Sequence, residues 1–151
     1  MLSIALFEPN IPQNCGTILR MADCFGLRVD IIEPCGFIFG GMHMKRAGMD
    51  YLNSVDYHLH ANYANFIEYA KSNNKRIILA TTKGSIKYTD FKYQTSDVIL
   101  FGTESSGLPE NIHKANLHKI YIPMQKDKRS LNLALSCGII ISEAIRQVPG
   151  L

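Results

Sequence analysis

The chain has 151 residues, of which 46% are apolar and 19% are charged. This size and composition predict one globular domain over residues 1–151 and exclude a disordered chain. The net charge of +3 is compatible with nucleic acid as well as with a small substrate. The four cysteines have no CxxC spacing and apolar neighbours, so buried free thiols are expected and a metal site is not.

The N-terminal residues LSIALF form a strand-like run, without the charged and apolar regions that mark a signal peptide. The apolar runs along the chain are too short to span a bilayer. The sequence therefore predicts a cytoplasmic protein without a membrane partner.

Apolar runs alternate with helical patterns in chain order. The first helix carries Ile18, Ala22 and Phe25 on one stripe, and the last helix carries Leu135, Ile139, Ser142 and Ile145 at spacings of three and four. Alternation of strands and helices is typical of an α/β domain with a mostly parallel sheet flanked by helices. The predicted strands span 2–7, 27–33, 54–59, 76–81, 97–101 and 118–122, and the predicted helices span 13–25, 61–72, 109–115 and 131–147.

Four polar loops follow predicted strands, and ligands of parallel sheets bind beyond the carboxyl ends of strands. These loops span residues 8–16, 81–85, 101–109 and 123–132. Each loop also has a simpler interpretation, in which glycine and proline make turns and Asn14 and Ser130 cap helices. Neither a GxGxxG fingerprint nor a GxxxxGK[ST] phosphate loop is present in the sequence, so a common nucleotide site is disfavoured.

Six segments together resemble the SPOUT superfamily of RNA methyltransferases, and in particular its tRNA (cytidine/uridine-2'-O)-methyltransferase family, which modifies the wobble nucleotide at position 34. The resemblance covers nearly the whole chain in the same order. The segments are EPNIPQN (8–14), NCGTILR (14–20), IIEPCGF (31–37), KRAGMDY (45–51), FGTESSGLP (101–109) and IPMQKDKRSLNLALSCG (122–138).

The resemblance implies a trefoil knot at the C-terminal end of the domain and S-adenosyl-L-methionine as cofactor. In that family the cofactor lies against the backbone of the knotted loops, where Gly102 and Gly107 would allow a close approach. The cofactor residues implied by position are Ala80, Thr81, Gly102, Ile122, Ser130 and Leu131.

The resemblance also implies the catalytic set of Arg20, Glu104, Ser130 and Asn132. Arg20 would deprotonate the ribose 2'-hydroxyl, or bind a phosphate and stabilise developing charge, since a free guanidinium has a pKa above about 12. Glu104 would bond the ribose or position Asn132 or Ser130, or else be a charge favoured at a helix N-terminus.

The implied partners are the anticodon stem-loop of tRNA and a second copy of the chain, without a separate RNA-binding domain. Ser106 stands where many family members have arginine, so one RNA or partner contact is missing or supplied elsewhere. Two alternatives stay open: a 2'-O-methyltransferase for another site in tRNA or rRNA, and a non-catalytic module that binds RNA or the cofactor. The implied RNA-binding residues are Asn14, Arg20, Lys45, Arg46 and Arg129.

Overall fold

The structure, a computed structural model, describes residues 1–41 and 54–148. Within these ranges the chain forms seven strands and four helices. The strands are β1 (Ser3–Phe7), β2 (Arg28–Ile32), β3 (Tyr57–His60), β4 (Arg76–Ala80), β5 (Ile86–Lys87), β6 (Asp97–Phe101) and β7 (His118–Tyr121). The helices are α1 (Pro12–Phe25), α2 (Tyr63–Ser72), α3 (Glu110–Ala115) and α4 (Leu133–Gln147).

The strands form one parallel sheet in the order β3-β2-β1-β6-β4-β7-β5. The predicted α/β class and every predicted strand and helix are confirmed, with end points that differ by a few residues. β5 was not predicted, because two residues are too few to show a period. The carboxyl ends of β1, β6, β4 and β7 lie side by side, which brings the loops that follow them to one edge.

The position of β7 is unusual for a strand so late in the chain. It pairs with β4 on one side and with β5 on the other, although β5 belongs to the segment that joins β4 to β6. Residues 118–121 therefore lie between two parts of one earlier segment. This placement is consistent with a trefoil knot, which stays a prediction.

The sheet is buried on both faces, because alternate strand residues pack against helices on opposite sides. Ile4, Leu6 and Ile99 belong to a core cluster that includes residues of α1 and α4. Ala5, Phe7 and Leu100 belong to a second cluster with residues of α2 and α3. Burial on both sides explains the near-continuous apolar run of β6.

Two of the predicted apolar helix stripes differ from the buried ones. In α1 the stripe of Ile18 and Ala22 is buried as predicted, but Phe25 is exposed, and so is its neighbour Cys24. In α4 the predicted stripe lies largely outward, with Leu135, Ile139 and Ser142 exposed. The cause is that α4 is apolar on more than one side, so spacing alone does not identify its core face; the buried residues are Cys137, Ile140, Ile141 and Ala144.

None of the helices within residues 1–41 and 54–148 combines the length and apolar character needed to cross a membrane.

Candidate functional site

A cavity of about 630 Å³ opens at the carboxyl ends of β4, β6 and β7. Four segments build its wall: the start of α1 with the residue before it, the end of β4 with the loop after it, the end of β6 with the loop after it, and the chain from the end of β7 into α4. The wall residues are Ile11, Asn14, Ala80, Thr81, Thr82, Phe101, Gly102, Thr103, Glu104, Ser105, Ser106, Gly107, Leu108, Ile122, Met124, Arg129, Ser130, Leu131, Asn132, Leu133, Ser136 and Ile140.

The loop after β6, residues 102–108, is closed on itself by backbone hydrogen bonds. The Thr103 amide donates to the Gly107 carbonyl at 3.1 Å, and the Gly107 amide donates back to Thr103 at 3.0 Å. The Thr103 and Ser106 hydroxyls lie 2.8 Å apart and add a side-chain link. We call this segment the cofactor loop, after the cofactor that the sequence resemblance implies.

The two glycines of the cofactor loop have separate structural reasons. A Cβ at Gly102 would lie 2.3 Å from the Gly107 carbonyl carbon and 2.5 Å from the Leu108 nitrogen. Gly102 is therefore required by packing within the loop, whereas the sequence suggested a close approach to the cofactor. Gly107 has a φ of +70°, in the left-handed region that favours glycine.

The loop after β4 is fixed against β7. The Thr81 amide donates to the Ile120 carbonyl at 2.9 Å, and the Gly84 amide donates to Thr81 at 3.1 Å. Ala80 and Thr81 are thus held at the cavity wall by an extension of the β4–β7 pairing.

Glu104 joins the cofactor loop to the segment before α1. One carboxylate oxygen accepts from the Asn10 amide at 2.8 Å. The other accepts from the Ile11 amide at 3.1 Å and from the Asn14 side-chain amide at 3.1 Å. Glu104 therefore lies at a helix N-terminus, as its simplest interpretation expected, but the helix is α1 and not the one that follows the cofactor loop.

Asn14 continues this network to α4. The Asn132 side chain donates from Nδ2 to Oδ1 of Asn14 at 2.9 Å, and its own Oδ1 accepts from the backbone amides of Ala134 and Leu135. Asn132 is thus the N-cap of α4, a role that the simpler interpretation gave to Ser130. Asn14 is not a cap, because it lies inside α1 and its side chain is used across the site.

Most of the predicted site residues come together at the cavity. All six predicted cofactor residues line it, and so do Glu104, Asn132, Asn14 and Arg129. Arg20 is an exposed residue of α1, and among the residues that the structure describes the cavity wall does not include it. Lys45 and Arg46 lie outside the described residues.

Sequence reasoning missed part of the wall. Met124 and Leu108 add apolar surface, and both lie within motif segments, so their positions were the available signal. Ile140 lies on the buried side of α4, which the spacing of that helix did not identify. Asn10 was missed as a partner of Glu104, because the two residues are 94 positions apart.

Glu104, which lines the cavity, lies near two cysteine thiols outside the described cavity wall. Burial, with Glu33, Glu104 and Glu8 nearby, raises the pKa of the Cys35 thiol to about 11. Burial, with Cys35 and Glu104 nearby, also raises the pKa of Cys15. Both shifts disfavour the thiolate form that a cysteine nucleophile needs.

The sequence profile of the SpoU rRNA methylase family matches residues 1–142. The chain belongs to the SpoU methylase family. It is 43% identical over 149 residues to the tRNA (cytidine(34)-2'-O)-methyltransferase of Ancylobacter novellus, and the match covers 99% of this chain and 94% of that protein.

Two solved structures of the same superfamily are also similar. One, described as giving structural insights into the 2-OH methylation of C/U34 on tRNA, has a TM-score of 0.90 and 38% identity, with 97% of this chain and 95% of that chain covered. The other, an AdoMet-bound rRNA methyltransferase from Sinorhizobium meliloti, has a TM-score of 0.86 and 28% identity, with 96% of this chain and 56% of that chain covered.

Proposed function

We propose that the protein transfers a methyl group from S-adenosyl-L-methionine to the ribose 2'-hydroxyl of the wobble nucleotide, cytidine or uridine 34, of tRNA in the cytoplasm. The observation that carries this proposal is the cavity, where parts of the segments 14–20, 101–109 and 122–138 meet. The near-full-length relative named for cytidine 34 supports this substrate, and the solved structure described for C/U34 supports uridine beside cytidine.

The cavity suits the cofactor in size and in chemistry. Its volume of about 630 Å³ is in the range of sites for small organic ligands. Phe101, Leu108, Ile122 and Ile140 give it apolar walls for a flat base and a thioether chain, and hydroxyl and backbone groups at Thr81, Gly102 and Ser130 suit polar edges. When bound, the cofactor supplies a methyl group on a positively charged sulfur.

The residues of the chain must then orient the ribose and assist the loss of the proton from its 2'-hydroxyl. A 2'-hydroxyl is a weak nucleophile and loses its proton during attack. Arg20 lies on α1 about 9 Å along the helix axis from Asn14, given a rise of about 1.5 Å per residue. Because Arg20 is exposed and outside the cavity wall, we assign it to the RNA. It acts there either as the base or as a guanidinium that binds phosphate and stabilises developing charge.

Ser130 and Asn132 line the cavity on the side of α4. Asn132 is held by α4 and by Asn14, which fixes its amide at the wall. Ser130 comes two residues earlier on the same segment and offers a hydroxyl to the cofactor or the ribose. The proposed catalytic roles of Ser130 and Asn132 rest on these positions at the cavity wall. Glu104 stays a predicted member of the catalytic set.

The RNA surface would lie around the mouth of the cavity. Arg129 lines the cavity, and Lys126 and Lys128 are exposed on the same loop. Lys83 is exposed beside Thr82, and its ammonium lies 3.5 Å from the Glu110 carboxylate. Local neutralisation of phosphates by such residues gives salt-dependent affinity without a large net charge.

A homodimer is the second part of the proposal. Leu131, Leu135 and Ile139 are 39%, 61% and 36% exposed on α4 and before it, an apolar stripe beside the cavity segment. A second copy would cover this stripe and double the basic surface. Light scattering should give the dimer mass for the wild type and for Leu117→Glu, whose site is 90% exposed elsewhere, and the monomer mass for Leu135→Glu.

The test of the main proposal is to incubate the purified protein with S-adenosyl-L-methionine and unmodified tRNA and to map 2'-O-methyl groups. We expect a single new methyl group at position 34. Methylation only at another tRNA position, or only in rRNA, would contradict the assigned substrate. Binding of cofactor and tRNA without any methyl transfer would instead identify a non-catalytic module.

A further inference from the structure

We propose that Glu104 is a positioning residue that couples the cofactor loop to the start of α1, so that cofactor and RNA each strengthen the binding of the other. The inference rests on the proposed function, because it concerns the same cavity and the same RNA. It assigns to Glu104, Asn14 and Asn132 a joint role that differs from contact with the ribose.

The first reason is that the carboxylate of Glu104 is already engaged. Its two oxygens accept three hydrogen bonds, from the backbone of Asn10, the backbone of Ile11 and the side chain of Asn14. An ionised carboxylate has about four acceptor positions and no donor. Most of its capacity is therefore spent on holding the segment before α1, and little is left for a ribose.

The second reason is the direction of the hydrogen-bond chain that continues from Glu104. At one end, the backbone amides of Ala134 and Leu135 can only donate, and they donate to Oδ1 of Asn132. At the other end, both oxygens of Glu104 accept from backbone amides, which can only donate. Between them, Asn132 Nδ2 donates to Asn14 Oδ1, and Asn14 Nδ2 donates to Glu104.

Because both ends of this chain are fixed, the orientation of both amides is fixed as well. Turning either amide around would place two donors or two acceptors against each other. The chain therefore holds three segments in one arrangement: the cofactor loop, the start of α1 and the start of α4. A second link joins the first two segments, since the Asn10 side chain donates to the Ser105 hydroxyl at 3.3 Å.

The third reason is that Glu104 and Asn14 belong to segments that meet different ligands in the proposed function. Glu104 sits on the cofactor loop, whose Gly102 and Leu108 line the cavity. Asn14 sits on α1, the helix that carries Arg20. A cofactor that orders the loop would also order the start of α1, and RNA that orders α1 would order the loop. Such coupling is reciprocal by thermodynamic necessity.

The experiment measures the affinity of S-adenosylhomocysteine by calorimetry, with and without a saturating anticodon stem-loop RNA. For the wild type we expect the RNA to tighten this affinity by about 5-fold or more, the lower range of known couplings. In Glu104→Gln, the new side-chain amide group would face a hydrogen-bond donor. The ratio of the affinity with RNA to the affinity without RNA is therefore expected to fall towards 1. Affinity for S-adenosylhomocysteine alone is expected to change much less.

A matched control makes the same change in another hydrogen-bonded carboxylate. Glu143 lies towards the end of α4, accepts from Arg146 and Gln147, and is not part of the described cavity wall, so Glu143→Gln is expected to keep the wild-type ratio. Asn14→Asp places a second carboxylate against Glu104 and is expected to remove the effect of the RNA on the affinity for S-adenosylhomocysteine. Combining Asn14→Asp with Glu104→Gln restores a donor between the two side chains and is expected to recover part of it, which a merely structural defect would not do.

A wild-type ratio near 1, or a Glu104→Gln ratio equal to that of the wild type, would overturn the inference. In either case, intact methyl transfer to position 34 would leave the proposed function standing. If the protein binds neither the cofactor nor the RNA, the inference and the proposed function are both overturned. If Glu104→Gln does not fold, as judged by circular dichroism, Glu104→Asp takes its place. It keeps the charge but shortens its reach by one methylene, and it must also lower the ratio.

Discussion

At the amino ends of β4 and β6, Arg76 and the buried Asp97 form a partly buried ion pair, with nitrogen–oxygen distances of 2.7 and 2.8 Å. At the carboxyl ends, Glu104, Asn14 and Asn132 join segments up to 118 positions apart around an open cavity. Both ends use charged or polar side chains at hydrogen-bond distance. They differ in what lies beside those side chains.

In the amino-end pair the carboxylate is enclosed, while the Arg76 side chain is 26% exposed. Asp97 is fully buried and also accepts from the Gln94 amide at 2.7 Å, while Arg76 donates to the Lys92 carbonyl and lies over the Phe91 ring. The carboxyl-end network borders a cavity, and its members line the wall. Stability and binding should therefore respond separately to substitutions at the two ends, and the following variants test that separation.

The largest effect is expected for Arg76→Met. It leaves the Asp97 carboxylate buried without its cation, which costs about 3–5 kcal/mol in comparable cases. Urea unfolding should show this loss, while the folded fraction binds S-adenosylhomocysteine as the wild type does. Adding Asp97→Asn to Arg76→Met should recover part of the stability, because no charge is then left unpaired. A loss below 1 kcal/mol would contradict this account of the amino end.

The next effect concerns activity alone. Arg20→Ala is expected to slow methyl transfer by about 10²-fold or more, in line with the loss of a general base or a charge-stabilising group. Cofactor affinity should hold, because Arg20 is outside the described cavity wall. Substantial activity in Arg20→Lys would favour charge stabilisation over a shaped role of the guanidinium. A single-turnover rate of Arg20→Ala near that of the wild type would remove Arg20 from the catalytic set.

A pair of glycines gives a smaller and more closely matched comparison. Gly107 in the cofactor loop and Gly26 at the end of α1 have φ values of +70° and +63°, and an added Cβ would meet no atom within 4 Å at either position. Alanine at either position should cost about 1–2 kcal/mol of stability through backbone strain. Only Gly107→Ala should also weaken cofactor binding. Equal cofactor affinity in both variants would contradict the placement of the cofactor against this loop.

The smallest effect is expected from a surface pair on α4. Hydrogen bonds from Arg146 and Gln147 lower the pKa of Glu143 from its ordinary value near 4.5 to about 2. This pair stabilises the fold above pH 4.5, and the stabilisation is lost as the pH falls towards 2. The stability difference between wild type and Glu143→Gln should therefore shrink between pH 6 and pH 3. It should be small throughout, because the Arg146 side chain is 70% exposed and water screens the pair.

The local features of this structure, the strands and the loops that follow them, could be predicted from the sequence. β6 was predicted with its observed bounds because four of its five residues form a continuous apolar run, and the structure buries all five. Thr81, Gly102 and Ser130 were placed at one site because each follows or precedes an element whose end points to the same edge of a parallel sheet. The identity of the site residues came from the resemblance, which supplied the motifs.

The order of the strands across the sheet could not be predicted from the sequence pattern. Glu104 meets Asn10 and Asn14 because β1 is the neighbour of β6, and a pattern of strands and helices does not state which strands are neighbours. Nor does a helical period state which side of a helix faces a cavity. Gly16 and Arg20 are one turn apart on α1, yet Gly16 is buried and Arg20 is exposed.

The insertion of β7 between β4 and β5 has a consequence for how the protein is made. A ribosome that has released only the residues up to Leu117 has produced β1 to β6, but β4 and β5 still lack the strand that joins them. The cavity then lacks Ile122, Ser130 and Ile140, which follow Leu117 in the chain. A nascent chain that ends at Leu117 therefore has strands β1 to β6 but not the complete wall of the proposed cofactor cavity, which requires residues 118–140 as well.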